Sequence, residues 1–279
     1  MATSAQGLDG TASREADAPL WELGVGAFGL YAPDYPASGE YSLNGLPFPY
    51  VIYRGDLLRL GEDAPARLVP VDTPRFEVGV SVDAAFGADS DDNELREDLP
   101  DLDPLAEVGP ELIIRGPRFA FGDRGVGALD LALQGRAVFS LDLDDLNVEY
   151  RGAVFEPLVR YRHPGLFGNG SLVFASLGPI FATERLHDYF YEVDPQFARA
   201  DRPAFNADGG YLGTTATAGL GYELTERLRV FTGTEVGFYS GAANEDSPLF
   251  EERVTASVFL GFAYRLFESE RRVLRDPNR

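Results

Sequence analysis

From Leu20 onward, hydrophobic and polar positions alternate along the chain with a period of two. Between Leu212 and Leu224 the even positions are Leu212, Thr214, Ala216, Ala218, Leu220, Tyr222 and Leu224, and the odd ones are Gly, Thr or Glu. This is a strand with one apolar face and one small or polar face. Leu228–Phe238 repeats the pattern, with Arg229, Phe231, Gly233, Glu235 and Gly237 opposite the apolar set. In the last segment Val254, Ala256, Val258, Leu260, Phe262, Tyr264 and Leu266 share a face, and Phe259 interrupts the small residues of the other.

Earlier segments obey the same rule. Phe76, Val78, Val80, Val82, Ala84 and Phe86 oppose Glu77, Gly79, Ser81 and Asp83. Leu129, Leu131, Leu133, Ala137, Phe139 and Leu141 oppose Asp130, Gln134 and Arg136. Val148, Tyr150 and Val154 oppose Asn147, Glu149 and Arg151. The phase then inverts, with Phe155, Val159 and Tyr161 against Glu156 and Arg160, which predicts a bulge between Gly152 and Pro157. Weaker strand signals lie at 21–31, 46–55, 57–71 (broken), 106–116, 171–182 and 187–194. The sum is about twelve strands, and no long segment carries a helical stripe.

Several alternating segments run well beyond the ~5–6 residues usual for strands of soluble domains, and a tilted strand crossing a bilayer needs ~9–11. Tight turns such as Thr225-Glu226 alternate with long polar loops such as residues 240–252. Tyr31, Tyr53, Tyr161, Tyr222, Phe238, Tyr239, Tyr264 and Phe267 stand near strand ends, where interfacial aromatic girdles belong. A soluble barrel gives the same period with the apolar side turned inward. The small residues and isolated mid-strand charges of the polar face favour a closed antiparallel transmembrane β-barrel. Glu77, Asp83, Asp130, Gln134, Arg136, Glu149, Arg151, Glu223, Glu235 and Arg265 are then expected to share its lumen.

Composition narrows the function classes. The 279 residues carry 45 Asp and Glu against 24 basic residues, all of them Arg, for a net charge of −21. This balance argues against nucleic-acid binding. With no Cys and only His163 and His187, thiolate chemistry is excluded and a zinc site is disfavoured. Residues 1–19 read as a flexible leader without the basic and apolar regions of a signal peptide, residues 20–267 as the barrel, and residues 268–279 as a polar tail.

The segment at 87–107 holds nine acids and one Arg. Asp142, Asp144, Asp145 and Asn147 form a second acidic run. Clustered carboxylates suit hard cations or a cation-bridged lipopolysaccharide surface, but both runs lack an EF-hand order and are expected to be solvated loops. His187-Asp188 with Ser171 or Ser176 is the one hydrolase-like combination. Without a G-x-S-x-G element it predicts no catalysis. Neither cofactor nor metal is expected, and His163 in Arg162-His163-Pro164-Gly165 reads as part of a turn.

Residues 24–58 resemble the first hairpin of the MipA/OmpV family of Gram-negative outer-membrane proteins, through Ala32, Pro33, Asp34, Tyr35, Ser38, Pro47, Pro49, Tyr50, Tyr53 and Arg54. Residues 209–267 look like that family's closing hairpins, with Asp246, Ser247 and Pro248 before the final strand. Tyr189-Phe190-Tyr191-Glu192-Val193 resembles its Tyr-Phe-Gly-Val strand. The resemblance implies an outer-membrane location, contact with membrane lipid and lipopolysaccharide, and a non-enzymatic scaffold role between a murein hydrolase and a murein synthase. The alternatives carried forward are a small-solute channel, a lipid-acting barrel enzyme and a soluble ligand-binding barrel.

Overall fold

The protein is described by a computed structural model covering residues 16–55, 58–60, 66–142 and 145–275. Its strands are β1 (Ala16–Pro19), β2 (Trp21–Pro33), β3 (Tyr41–Arg54), β4 (Leu58–Leu60), β5 (Ala66–Asp72), β6 (Phe76–Ala85) and β7 (Leu105–Ala120). They continue with β8 (Val126–Asp142), β9 (Asn147–Pro164), β10 (Ser171–Ala182), β11 (Gly210–Glu223), β12 (Leu228–Phe238), β13 (Val254–Glu268) and β14 (Arg272–Arg275). One helix, α1 (Glu184–Tyr191), lies between β10 and β11.

The fold is all-β and antiparallel, as the alternation predicts. Strands β2 to β13 pair in sequence order, and β13 also bonds to β2, so the pairing runs round a ring and returns to its start. The connections sort by end. At one end lie the turns 73–75, 121–125, 165–170 and 224–227, together with β1 and β14. At the other lie residues 34–40 and the long segments 86–104, 183–209 and 239–253.

Burial shows which face points where. On β13, Val258 and Leu260 are 54% and 63% exposed, whereas Thr255 and Ser257 are 3% and 8% exposed. The same parity holds on β8, where Leu131 is exposed while Ala132, Gln134 and Arg136 are buried. The apolar face therefore looks outward around the ring and the polar face inward. A soluble barrel needs the reverse, so that alternative is set aside.

Phe259 now has a reason. It sits on the inner face with Phe174 and Phe231, and their rings lie over Gly233, Gly219 and Gly261 of neighbouring strands, where any Cβ would collide with the ring. Glycine across from an inward ring is a packing requirement, which accounts for the Gly-rich polar face.

Four expectations need correction. The segment 187–194 is not a strand: Glu184–Tyr191 is helical, and Val193 only makes an isolated bridge to Phe205. Leu186 with Phe190, and His187 with Tyr191, are buried at i,i+4 spacing, a stripe too short to stand out in sequence. The bulge falls earlier than expected, with Phe139 opposite Tyr150 and Val138 opposite Gly152. Gly152 takes φ +114°, a conformation open to glycine. As a result Val154 turns inward and is buried. Tyr239 is buried over Gly213 and Gly237 instead of joining an outer girdle. Finally, Ala16–Pro19 pairs with Arg272–Arg275, so the expected leader and tail contribute an ordered two-stranded ribbon. Residues 1–15 and 276–279 lie outside the described residues. The ribbon rests on backbone ladder bonds and is too short to show a period.

The largest apolar core lies at the long-loop end. Tyr35, Leu99, Leu102, Leu186, Phe190, Tyr191, Val193 and Leu249 pack there against Leu105, Val138, Val154 and Leu212 of the strands. These segments form a cap over the mouth of the ring.

Candidate functional site

Of the ten residues expected in the lumen, Glu77, Gln134 and Arg136 are buried, whereas Asp83, Glu149 and Glu223 keep much of their side chains exposed, and the set falls into separate groups. The central one is built on Arg136, whose guanidinium reaches Glu107 at 2.7 Å and Glu156 at 3.0 Å, with Asp83 at 3.9 Å. Arg136 also donates to Gln134, and Gln134 donates to Glu111 at 2.6 Å. Arg160 pairs with Glu111 at 2.7 Å. This network borders an internal cavity of about 270 Å³, and Glu235 faces the same space with its carboxylate held by the Thr217 hydroxyl at 2.9 Å. Buried carboxylates paired by planar guanidiniums are the economical way to fill a narrow polar interior.

Toward the short-turn end, Glu77 pairs with Arg115 at 2.9 Å and Asp130 with Arg118 at 2.8 Å. A further cluster centres on Glu22, bound by Arg54 at 2.7 Å and by the Tyr50 hydroxyl at 3.0 Å. Arg265 and Arg229 lie 3.7 and 3.8 Å from the same carboxylate, and Arg229 also pairs with Glu223 at 2.9 Å. At the cap, Glu149 pairs with Arg151 at 3.0 Å and Arg185 at 3.3 Å.

The sequence reading left Glu22, Glu107, Glu111, Arg115 and Arg160 out of its lumen set. Of these, Arg160 already stood on the polar face by parity. Pro110 and Pro117 blur the alternation of β7, and Glu22 stands at a strand start where no period has yet built up.

The cap unites the scattered motifs of the first and last hairpins. The Tyr35 hydroxyl donates to the Leu249 carbonyl, the Tyr191 hydroxyl to the Pro36 carbonyl, and the Ser247 hydroxyl to the Tyr191 carbonyl, each at 2.8 Å. Asn93 donates to Asp34 at 2.9 Å. Two buried arginines from the acidic stretch and its neighbour tie the cap to backbone carbonyls. Arg96 reaches Phe190 and Pro100, and Arg202 reaches Leu95, Glu97 and Phe197. The segment 86–104 is thus a folded part of the cap, with acids on its surface. Among the described residues no three His, Asp or Glu side chains gather in a metal-binding group. Asp144 of the second acidic run lies outside the described residues.

The hydrolase-like combination is not assembled. The His187 ring faces Asn244 and the Gly210 carbonyl in the cap. Ser171 bonds Phe167 and Gly168 at the opposite end of the ring, and Ser176 lines the internal cavity. His163 is buried between the Tyr161 hydroxyl and the Arg124 carbonyl, fastening a short turn.

A ring of long antiparallel strands, apolar outside, charge-paired inside and with its long loops at one end, is the plan of an outer-membrane β-barrel protein. The family model described as MltA-interacting protein MipA matches residues 25–266, and the chain belongs to that family. Solved structures of outer-membrane proteins are similar to it at low identity. For the outer-membrane expressed OmpT of Vibrio cholerae, the match covers 91% of this chain and 100% of that one, at 10% identity and a TM-score of 0.38. For outer membrane phospholipase A from Escherichia coli, it covers 87% and 92%, at 12% identity and a TM-score of 0.32. A search of curated protein sequences gives no match.

Proposed function

We propose that the protein crosses the outer membrane as a closed barrel of twelve strands and acts there as a non-enzymatic scaffold for murein-processing enzymes. The observation that carries the membrane reading is the outward apolar band, exemplified by Val258 and Leu260 on β13. Leaving such a continuous apolar surface in water is costly, and hydrocarbon removes that cost. Tyr31 stacked on Tyr41 at one rim and Tyr264 at the other suit the two headgroup layers. By the usual plan of such barrels the short turns and the β1–β14 ribbon face the periplasm, and the cap faces outward toward lipopolysaccharide.

The scaffold reading draws on the family's name, which describes an interaction with MltA. Ion pairs filling the interior and a packed cap over one mouth favour a scaffold over a pore. Membrane insertion is tested by refolding in detergent and electrophoresis with and without boiling, where a heat-dependent mobility shift is expected. Planar bilayers should then show no discrete conductance steps. A murein lytic transglycosylase should co-purify with the refolded protein, and replacing the turns 121–125 and 224–227 by Gly-Ser linkers should abolish this. Regular conductance steps would establish the channel instead. Absence of co-purification would remove the scaffold role.

A further inference from the structure

His187 is fully buried on α1, and the orientation of its neighbour fixes its protonation state. The Asn244 side chain is locked by Asp208. Its Oδ1 accepts from the Asp208 amide at 2.8 Å, and its Nδ2 donates to the Asp208 carbonyl at 2.9 Å. Turning the amide over would break both bonds. Nδ2 is therefore the atom that meets His187 Nδ1, at 2.8 Å, and it can only donate. Nδ1 must then be an unprotonated acceptor, and the ring proton sits on Nε2, facing the Gly210 carbonyl at 3.4 Å.

We propose that His187 is an acid-released latch that holds the cap over the barrel mouth. Protonation puts an N–H on Nδ1 against the fixed N–H of Asn244, so the charged ring can be accommodated only once α1 and the segment 239–253 separate. Opening would connect the long-loop end with the internal cavity beside Arg136 and Glu235.

Among the described contacts, the Gly210 carbonyl facing Nε2 offers the cation some compensation, and burial outweighs it. The charged groups on the adjoining elements are Glu184, Arg185 and Asp188 on α1, Asp208 before β11, Glu245 and Asp246 beside Asn244, and Glu149 on β9. Among the described contacts none bonds or ion-pairs with the ring, and Glu149 is engaged by Arg151 and Arg185. The Tyr191 ring packs 5.9 Å away, centroid to centroid. Burial lowers the pKa of His187 below the ordinary histidine value. The sign follows. The latch is intact above the unfolded histidine value of ~6.5 and weakens as pH falls toward the lower folded value, by ~10-fold in the opening equilibrium per pH unit.

The test uses the full chain refolded in detergent, with Ala207→Cys placing a thiol in the cap core of a protein that otherwise has no cysteine. Its reaction with 4,4′-dithiodipyridine is measured from pH 7.5 to 5.5 and divided at each pH by the rate in denaturant. The expected ratio is constant above pH ~6.5 and rises up to ~10-fold per unit below it. With His187→Phe the dependence should vanish. With Asn244→Asp, whose carboxylate would accept from a protonated ring, its sign should reverse. Nitrogen NMR of the His187 ring should show the Nε2–H tautomer at pH 7.5, a readout that does not depend on either variant folding. A flat ratio in the parent protein, an unchanged slope in His187→Phe or the Nδ1–H tautomer would overturn the latch. A failed heat-shift assay bears on the membrane reading alone.

Discussion

Arg136 shows why single inner-face residues weigh more here than their exposure as polar side chains suggests. Its guanidinium is shared by Glu107 and Glu156 and also supports Gln134, so truncating it leaves carboxylates stranded in a desolvated interior. Arg136→Met should destabilise the folded barrel by ~3–5 kcal/mol, read from urea unfolding in detergent. A loss under ~1 kcal/mol would mean that water screens the network. Gly233 makes the complementary case from packing. Gly233→Ala drives a methyl into the Phe259 ring and should cost ~1–3 kcal/mol. In the Phe259→Ala background the part of that cost due to the ring should disappear, while the part due to the Ala218 carbonyl, which the added methyl also meets, should remain, and a double-mutant cycle measures the coupling. If the two substitutions simply add, ring and glycine are independent.

Among the elements, the long strands were the most legible in sequence and the cap the least. β8, β12 and β13 announced themselves because each has one face against the polar interior and one against the outside, so period two survives over their whole length. β7 was blurred by its prolines, although Glu107 and Glu111 held the inward phase. α1 was misread as a strand because its four buried residues make only one repeat of a helical stripe. The motifs at Asp34–Ser38 and Asp246–Pro248 were visible as a resemblance, but their meeting around Tyr191 depends on the fold and has no local signature. The inward charges could likewise be assigned to a face, whereas their partners lie on other strands and required the register.

The cap also has a titration of its own. Burial, assisted by acidic neighbours, raises the pKa of Asp188 and Glu192 above the usual carboxylate range. A raised folded value stabilises the protonated form. That contribution is complete below the unfolded carboxylate values of ~4 and is lost as pH rises through the folded values. Once His187 is replaced, acidification from pH 5.5 to 4 should therefore tighten the cap, seen as slower relative labelling of Ala207→Cys. Faster labelling over that interval would contradict this assignment.

For the whole molecule, the apolar outside and the charge-paired inside belong to one arrangement, in which hydrocarbon replaces the core that a soluble barrel would build within. β13 extends the outward pattern from Val254 to Leu266, enough for ~30 Å of bilayer at a tilt of ~45°. In lipid vesicles Leu260→Arg should cost ~2–4 kcal/mol of folding free energy, more than the same change near either rim. The most direct test reads the environment residue by residue along β13. Single nitroxide labels at positions 255 to 263, in protein reconstituted into vesicles, report their access to oxygen and to a polar nickel complex. Labels at 256, 258, 260 and 262 should show high oxygen and low nickel access, deepest near 260, with the intervening positions shielded from oxygen. High nickel access at those even positions would place the band in water and contradict the account.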